Sequence, residues 1–195
     1  MPIDVMYPLS SKSSWEDNEL RYSLRSMEKF FPEMGRVFVV GHRPPWLTNV
    51  VHLPAVDSYR HNKDANLITK VLLACANGIS DTFLRCSDDQ CLLRLATVDD
   101  LVPRHCGHVK CGRGGWWARF VSTCRVLQSR NLPFLYYECH IPMLYDRDDF
   151  VCTVTQFPFG EGNGFTINSL YFNASTMPRK VQRLDHERTG APRSK

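Results

Sequence analysis

Apolar and polar positions follow one another up to residue 90 in an order that predicts a run of alternating elements. Residues 3–9 (IDVMYPL) read as a short opening strand. A polar loop follows, and the spacing Ser13-x-x-Glu16 predicts a capping box that opens a helix. In that helix Leu20, Leu24, Met27 and Phe31 recur at helical spacing as a buried stripe, and Pro32 helps end it. Residues 36–41 (RVFVVG) are an almost continuous apolar run bounded by Gly35 and Gly41, as expected for a parallel strand covered on both faces. Beyond the loop at 42–45 comes a short strand at 50–53, then a helix over 64–76 with Ile68, Val71, Leu72 and Cys75 on one face. A strand at 82–86 (TFLRC) runs directly into Ser87, Asp88, Asp89 and Gln90.

The second half is less regular. Gly112, Gly114 and Gly115 mark a turn before a third helix, with Trp117, Phe120, Val121 and Cys124 as its apolar face. Residues 133–139 predict another strand, and 150–173 a hairpin-like stretch around residues 160–164. No repeat or linker divides the chain. The pattern as a whole predicts a single α/β domain with a mostly parallel sheet flanked by helices, in which ligands bind beyond the carboxyl ends of the strands.

Composition narrows the class. The 195 residues are 43% hydrophobic and 23% charged, enough apolar material for a real core, which excludes a disordered chain. The longest apolar runs, 37–40 and 71–76, fall far short of the roughly 18 residues of a membrane span. The opening residues lack the basic-then-apolar layout of a signal peptide, so a soluble, cytoplasmic protein is expected. The net charge of +4 resides in residues 179–195, with six basic and two acidic residues; the body before them is neutral, unlike a dedicated nucleic-acid binder. The tail is expected to be flexible, leaving 1–178 as the folded domain. Eight cysteines without a secretory signal read as reduced. One cluster, His105, Cys106, His108 and Cys111 with Cys86 and Cys91 upstream, offers a zinc alternative, although Cys86-x4-Cys91 is wider than the common knuckle.

Three constellations bear on chemistry. Asp88 and Asp89 follow a buried strand and face different ways, so one can hold a divalent ion while the other orients a sugar or a basic residue. Mg2+ or Mn2+ there would offset charge on a departing diphosphate. Glu138 and His140, two apart, can point to the same side; His140 is a candidate metal ligand or base, Glu138 a base or a partner for an arginine. Asn66 and Lys70 share a helix face, where a lysine would counter a diphosphate. The chain has no P-loop, no GxGxxG and no GxSxG, and the glycines at 112–115 are only a weak phosphate cradle.

Residues 18–29 (NELRYSLRSMEK), then RVFVVG, then Pro45, Trp46 and Leu47 closely resemble the second conserved region of the Stealth family. That family includes bacterial capsular polysaccharide sugar-phosphate transferases and the lysosomal-enzyme GlcNAc-1-phosphotransferase. Residues 83–89 (FLRCSDD) look like its motif of an Asn before two aspartates, with Ser87 in place of the Asn. His140-Ile-Pro with Tyr145 is similar to the third, His-containing region, and residues 169–172 (SLYF) to its end. The resemblance implies a GT-A-like nucleotide-diphosphosugar transferase using a divalent metal, with Asp88 and Asp89 serving metal and donor and His140 the metal or the reacting phosphate. By the same resemblance Arg21 and Arg25, one turn apart, are donor or structural arginines; with Tyr7, and with Asn66 and Lys70 from their shared helix face, they make up the expected nucleotide-sugar-binding set. Two departures stand out: the opening strand lacks the family's Trp-Val-Asp-Gly continuation, and Lys70 stands where the family carries a glutamate. A lysine reverses the local charge beside a metal, which favours ordinary glycosyl transfer over sugar-1-phosphate transfer. The acceptor expected is a glycan or a hydroxylated DNA base. The remaining alternative is a zinc-stabilised nucleic-acid-binding module built on the Cys/His cluster and the basic tail.

Overall fold

Along residues 3–9 the side chains alternate between two separate apolar layers, and this alternation sets the architecture. Val5, Tyr7 and Leu9 pack with Leu20, Met27 and Phe31 on one side, whereas Met6 packs with Ile68, Val71 and Phe83 on the other. The computed structural model describes residues 2–10, 13–110 and 112–184. In chain order the elements are β1 (Ile3–Leu9), α1 (Asn18–Phe30), β2 (Met34–Gly41), β3 (Val51–Leu53), α2 (Lys63–Ala76), β4 (Thr82–Arg85), β5 (Arg104–His105), α3 (Gly115–Ser129), β6 (Met143–Asp146), α4 (Arg147–Val154), α5 (Ile167–Ala174) and β7 (Gln182–Arg183).

The central sheet has the order β3-β2-β1-β4-β6. β1, β2, β3 and β4 are parallel, and β6 closes one edge antiparallel to β4. Helix α1 covers one face; α2, α4 and α5 cover the other, giving the three-layer α/β domain that the first 90 residues predict. The parallel strands run into one common edge, so the loops after β1, β2 and β4 emerge together. At that edge Gly41 has a φ of +111°, and a Cβ there would run into the Leu9 carbonyl and stand 3.1 Å from Lys70 Cε. Among the described residues no helix is long and apolar enough to cross a membrane.

Several expectations need correction. Ser13 and Glu16 do not form a capping box: Ser13 Oγ accepts from Trp15 and Asp17 N–H and donates to Glu19, while α1 starts only at Asn18 after two residues with positive φ. Residues 133–139 are not a strand of the sheet. Asn173 binds both the N–H and the carbonyl of Leu135 at 2.8 Å, and Tyr136 exchanges backbone bonds with residues 106 and 107, so α5 and a loop satisfy what a neighbouring strand would. The hairpin expected over 150–173 is instead α4, a loop and α5; Asp146 caps α4 by accepting from Asp149 N–H. In α3 the buried face is Phe120, Thr123 and Leu127, turned away from the stripe through Val121 and Cys124. Of the tail expected from residue 179, residues 179–184 are docked: Arg179 pairs with Asp149 and β7 pairs with β5. Residues 185–195 lie outside the described residues.

Candidate functional site

Two cavities open side by side at the carboxyl edge of the sheet, and Leu67 of α2 lines both. The first, about 380 Å³, lies between the end of β1 and the start of α2, with Asp57, Arg60, Lys63, Lys70 and Asp88 on its walls. The second, about 370 Å³, continues from Ser87 past the end of β4 and is walled by Trp116, Tyr136, Glu138 and His140 over a floor that includes Arg85 and Asn168. Volumes of this size are typical of small-molecule sites.

The turn that carries Asp88 and Asp89 is built from below. The Tyr7 hydroxyl shares a 2.8 Å hydrogen bond with Ser23, and Ser23 Oγ donates to the Gln90 carbonyl at 2.6 Å. Ser87 N–H donates to Gln90 Oε1, closing the turn. The two carboxylates then part. Asp88 faces the first cavity, and partial burial, reinforced by the neighbouring charge of Asp89, pushes its pKa up. Asp89 Oδ2 lies 3.0 Å from His140 Nε2, with both side chains more than half exposed. Thus Asp89 and His140, far apart in the chain, meet, and Glu138 shares the second cavity with His140.

The expected donor-binding set divides. Lys70 reaches the first cavity, but its ammonium is already committed: it donates to the Leu9 carbonyl at 2.7 Å and pairs with Asp57 at 2.6 Å. Asn66 also lines that cavity, with both ends of its carboxamide clipped to the Tyr59 backbone at 3.0 Å, so it shapes the 57–62 loop. Tyr7 is fully buried and supports the Asp88–Asp89 turn from the core, where no ligand reaches it. Arg21 stacks over Trp46 at 4.2 Å, and neither it nor Arg25 lines either cavity.

The second cavity contains groups that the sequence reading did not single out. Asp64 and Glu138 are both held by the start of α5: Ile167 N–H donates to Asp64 at 3.3 Å and Ser169 N–H to Glu138 at 2.7 Å. Arg119 Nε lies 2.8 Å from Asp64 Oδ2, an ion contact whose N–H misses hydrogen-bond alignment. Burial, then the charge of Asp64, lifts Glu138 to about 7, against the opposing pull of the Ser169 N–H and Arg85. Asp64 is also raised, by burial, with Arg119 resisting most. Arg85 is buried, its Nε has no partner among the described residues, and its one side-chain contact is 3.5 Å to Asn168 Oδ1. That same Asn168 oxygen accepts from the Tyr145 hydroxyl. A charged residue inside the apolar run TFLRC was the sequence signal for Arg85, since such a charge needs a partner or a use.

The Cys/His cluster does not assemble. Cys86 is buried in the core, His105 packs on Tyr137, and His108 packs on Phe134. Cys106 instead lies 3.5 Å from Cys139, sulfur to sulfur. Cys111 lies outside the described residues, and among those described no three His, Cys, Asp or Glu side chains converge as a metal site.

No protein-family model matches the chain, and no curated protein matches it. Among solved structures it is similar to the bifunctional IspDF from Campylobacter jejuni, at 10% identity over 96% of this chain and 50% of that one, with a TM-score of 0.47. The chain thus spans about half the length of that structure.

Proposed function

We propose that this chain is a nucleotide-sugar-dependent glycosyltransferase that moves a sugar from a nucleotide-diphosphosugar to an acceptor hydroxyl. The observation that carries the reading is the adjacency of the two cavities: one lined by Arg60, Lys63 and Asp88, the next by Glu138 and by His140, whose Nε2 lies 3.0 Å from Asp89. Arg60 and Lys63 supply the positive charge a diphosphate needs; Lys70 supports them by holding Asp57 and the end of β1 in place.

Asp88 and Asp89 offer carboxylate oxygens and His140 a ring nitrogen; among the described residues the three do not converge, so Mn2+ or Mg2+ held there would have to be completed by substrate phosphate and water. Bound there, the ion would supply positive charge for the departing diphosphate. Glu138 accepts the acceptor hydroxyl proton as that oxygen bonds to the anomeric carbon and the carbon–phosphate-oxygen bond breaks, with inversion as the expected outcome. Its position near pH 7 suits it to take a proton under neutral conditions. His140, in contact with Asp89, orients that carboxylate.

Membership of the Stealth family, and a cytoplasmic setting, belong to the same proposal. Glycosyl transfer is favoured over sugar-1-phosphate transfer by Lys70, whose ammonium, bonded to Leu9 and Asp57, has no lone pair to offer a metal. The test is product analysis: purified protein, UDP-, GDP- and dTDP-sugars, Mn2+ or Mg2+, simple glycoside acceptors, and chromatography of the nucleotide released. Metal-dependent release of a nucleoside diphosphate, lost in Asp89→Asn, is expected. Release of a monophosphate with a phosphorylated acceptor assigns sugar-phosphate transfer instead. Absence of nucleotide binding by calorimetry overturns both.

A further inference from the structure

The second cavity has two unlike walls. On one side stand Trp116 and Tyr136, half-buried rings braced by Phe120 and Trp117. On the other lie Arg85, Asn168 and Glu138, hydrogen-bonding groups at the end of β4 and the start of α5. An aromatic face opposite a dense polar floor matches a ligand that is apolar on a face and hydroxylated at its rim.

Charge narrows the ligand further. The cavity wall carries both signs, Arg85 beside Asp64 and Glu138, with Arg119 2.8 Å behind Asp64. A wall of mixed sign gives neither an anion nor a cation a single-sign pocket. Arg85 remains under-used, since a buried guanidinium with an unpartnered Nε and one 3.5 Å contact carries an unmet demand for acceptor oxygens. Ring hydroxyls meet that demand without introducing charge.

Geometry separates a sugar from a nucleobase. A flipped-out base is commonly held between flat surfaces, and such a slot needs roughly parallel walls. The Trp116 and Tyr136 rings are 6.0 Å apart at 70°, so together they make a corner and not a slot. A pyranose, with a C–H face for one ring and hydroxyls directed elsewhere, fits a corner of this kind.

We infer that this cavity is the acceptor subsite and takes a neutral pyranose ring, with Trp116 as its apolar platform and Arg85 and Asn168 binding its hydroxyls beside Glu138. This rests on the glycosyltransferase reading for the word acceptor, while the binding of a sugar can be tested without turnover. The probes are methyl glycosides of glucose, galactose, mannose and N-acetylglucosamine, with a single-stranded oligonucleotide containing 5-hydroxymethylcytosine as the competing class. Ligand-observed NMR reads which protons receive saturation from the protein, and calorimetry with UDP reads the donor cavity separately.

At least one glycoside is expected to bind through its ring C–H protons. Trp116→Ala should weaken that binding roughly tenfold, Trp116→Phe should restore most of it, and UDP affinity should stay within about twofold. Arg85→Lys, which keeps the charge but loses the fork, should weaken glycoside binding with unchanged UDP affinity. Circular dichroism checks that each variant is folded, and Arg85→Lys carries the test where the alanine is not. Three results overturn the inference: no glycoside binds, glycoside binding is indifferent to both Trp116 variants, or only the oligonucleotide bases receive saturation. If the glycoside binds as expected and UDP does not, the donor reading falls and the sugar site stands; the reverse result sinks the sugar site alone.

Discussion

The two edges of the central sheet each hold a group of charges with a buried member, and the contrast lies in how completely those charges are used. At the amino edge, Asp4 accepts from Arg36 N–H and Ser80 N–H, both at 2.9 Å, and from the Arg36 guanidinium at 2.6 Å. Arg36 goes on to the Gly78 carbonyl, and Ser80 Oγ accepts from Asp4 N–H and donates to the Thr82 carbonyl. Both carboxylate oxygens are engaged, and the result ties β1, β2 and the approach to β4 together. At the carboxyl edge, Arg85 has an idle Nε and one hydrogen bond of 3.5 Å, Glu138 leans on a single N–H of α5, and Asp64 has one such N–H beside its Arg119 ion contact. Buried polar groups are normally satisfied, so the first edge reads as architecture, and the second is where the proposed sugar would meet the unpartnered Arg85 Nε.

Substitutions should split along this line. The largest effect expected is on catalysis, with Glu138→Gln lowering kcat by about 10²–10⁴-fold, the range for loss of a general base, while the protein stays folded. Steady-state rates on the donor and acceptor identified by product analysis measure it, and an unchanged kcat would remove Glu138 from the chemistry. At the other edge Asp4→Ala should do the opposite. Two partly buried backbone N–H groups lose their acceptor there, and unfolding in urea should show a loss of about 2 kcal/mol. Any activity change at Asp4 should follow the folded fraction alone.

Lys70 tests where the boundary between the two kinds of charge falls. It sits at the carboxyl edge, yet its ammonium is used as fully as Asp4, by Leu9 and Asp57. If complete use marks architecture, Lys70→Met should cost roughly 2 kcal/mol of stability, because the Leu9 carbonyl loses its donor and Asp57 its partner. Nucleotide affinity should fall less than in Lys63→Met, whose parent side chain is exposed on the cavity wall. Denaturation and calorimetry on the two variants settle the order, and a larger nucleotide defect in Lys70→Met would place its charge on the diphosphate after all.

The same contrast explains what could be read from the chain. β1, α1, β2, α2 and β4 announce themselves because each buries one stripe or one continuous run, and their apolar spacing is the period of the element. The later elements lack that signal. Residues 167–173 of α5 are buried on every side, so no polar stripe marks the helix, and α4 is only eight residues long. The four residues of β6 pair only with β4 at the sheet edge. Within the site, Asp88, Asp89, Glu138 and His140 were visible as local clusters of ionisable groups. Asp64, Arg119 and Asn168 were not, because each is unremarkable in its own helix and gains meaning only when α2, α3 and α5 meet. Tyr7, expected among the nucleotide-sugar-binding residues, is buried by the same alternation that buries Val5 and Leu9.

The smallest and most specific expectation concerns pH. Glu138 titrates at about 7 in the folded chain against 4.5 for the free side chain, with burial as the main cause and the Asp64 charge next. Between those values the folded state keeps a proton that the unfolded state has lost, so stability falls as pH rises. The full contribution is present below about pH 4.5 and is gone above about 7. Glu138→Gln removes this titration, so the variant should gain on the parent as pH is raised across the window, by an amount on the order of 1–3 kcal/mol. The difference between variant and parent isolates the group from other titrations that both share. Asp64→Asn should shrink the gain, because removing the neighbouring carboxylate removes one of the two causes that hold Glu138 up. Urea midpoints of the four proteins in the Glu138/Asp64 cycle, at pH 5 and pH 8, are sufficient. A gain independent of pH would mean that the second cavity is as well solvated as open surface, and the distinction between the two sheet edges would lose its electrostatic basis.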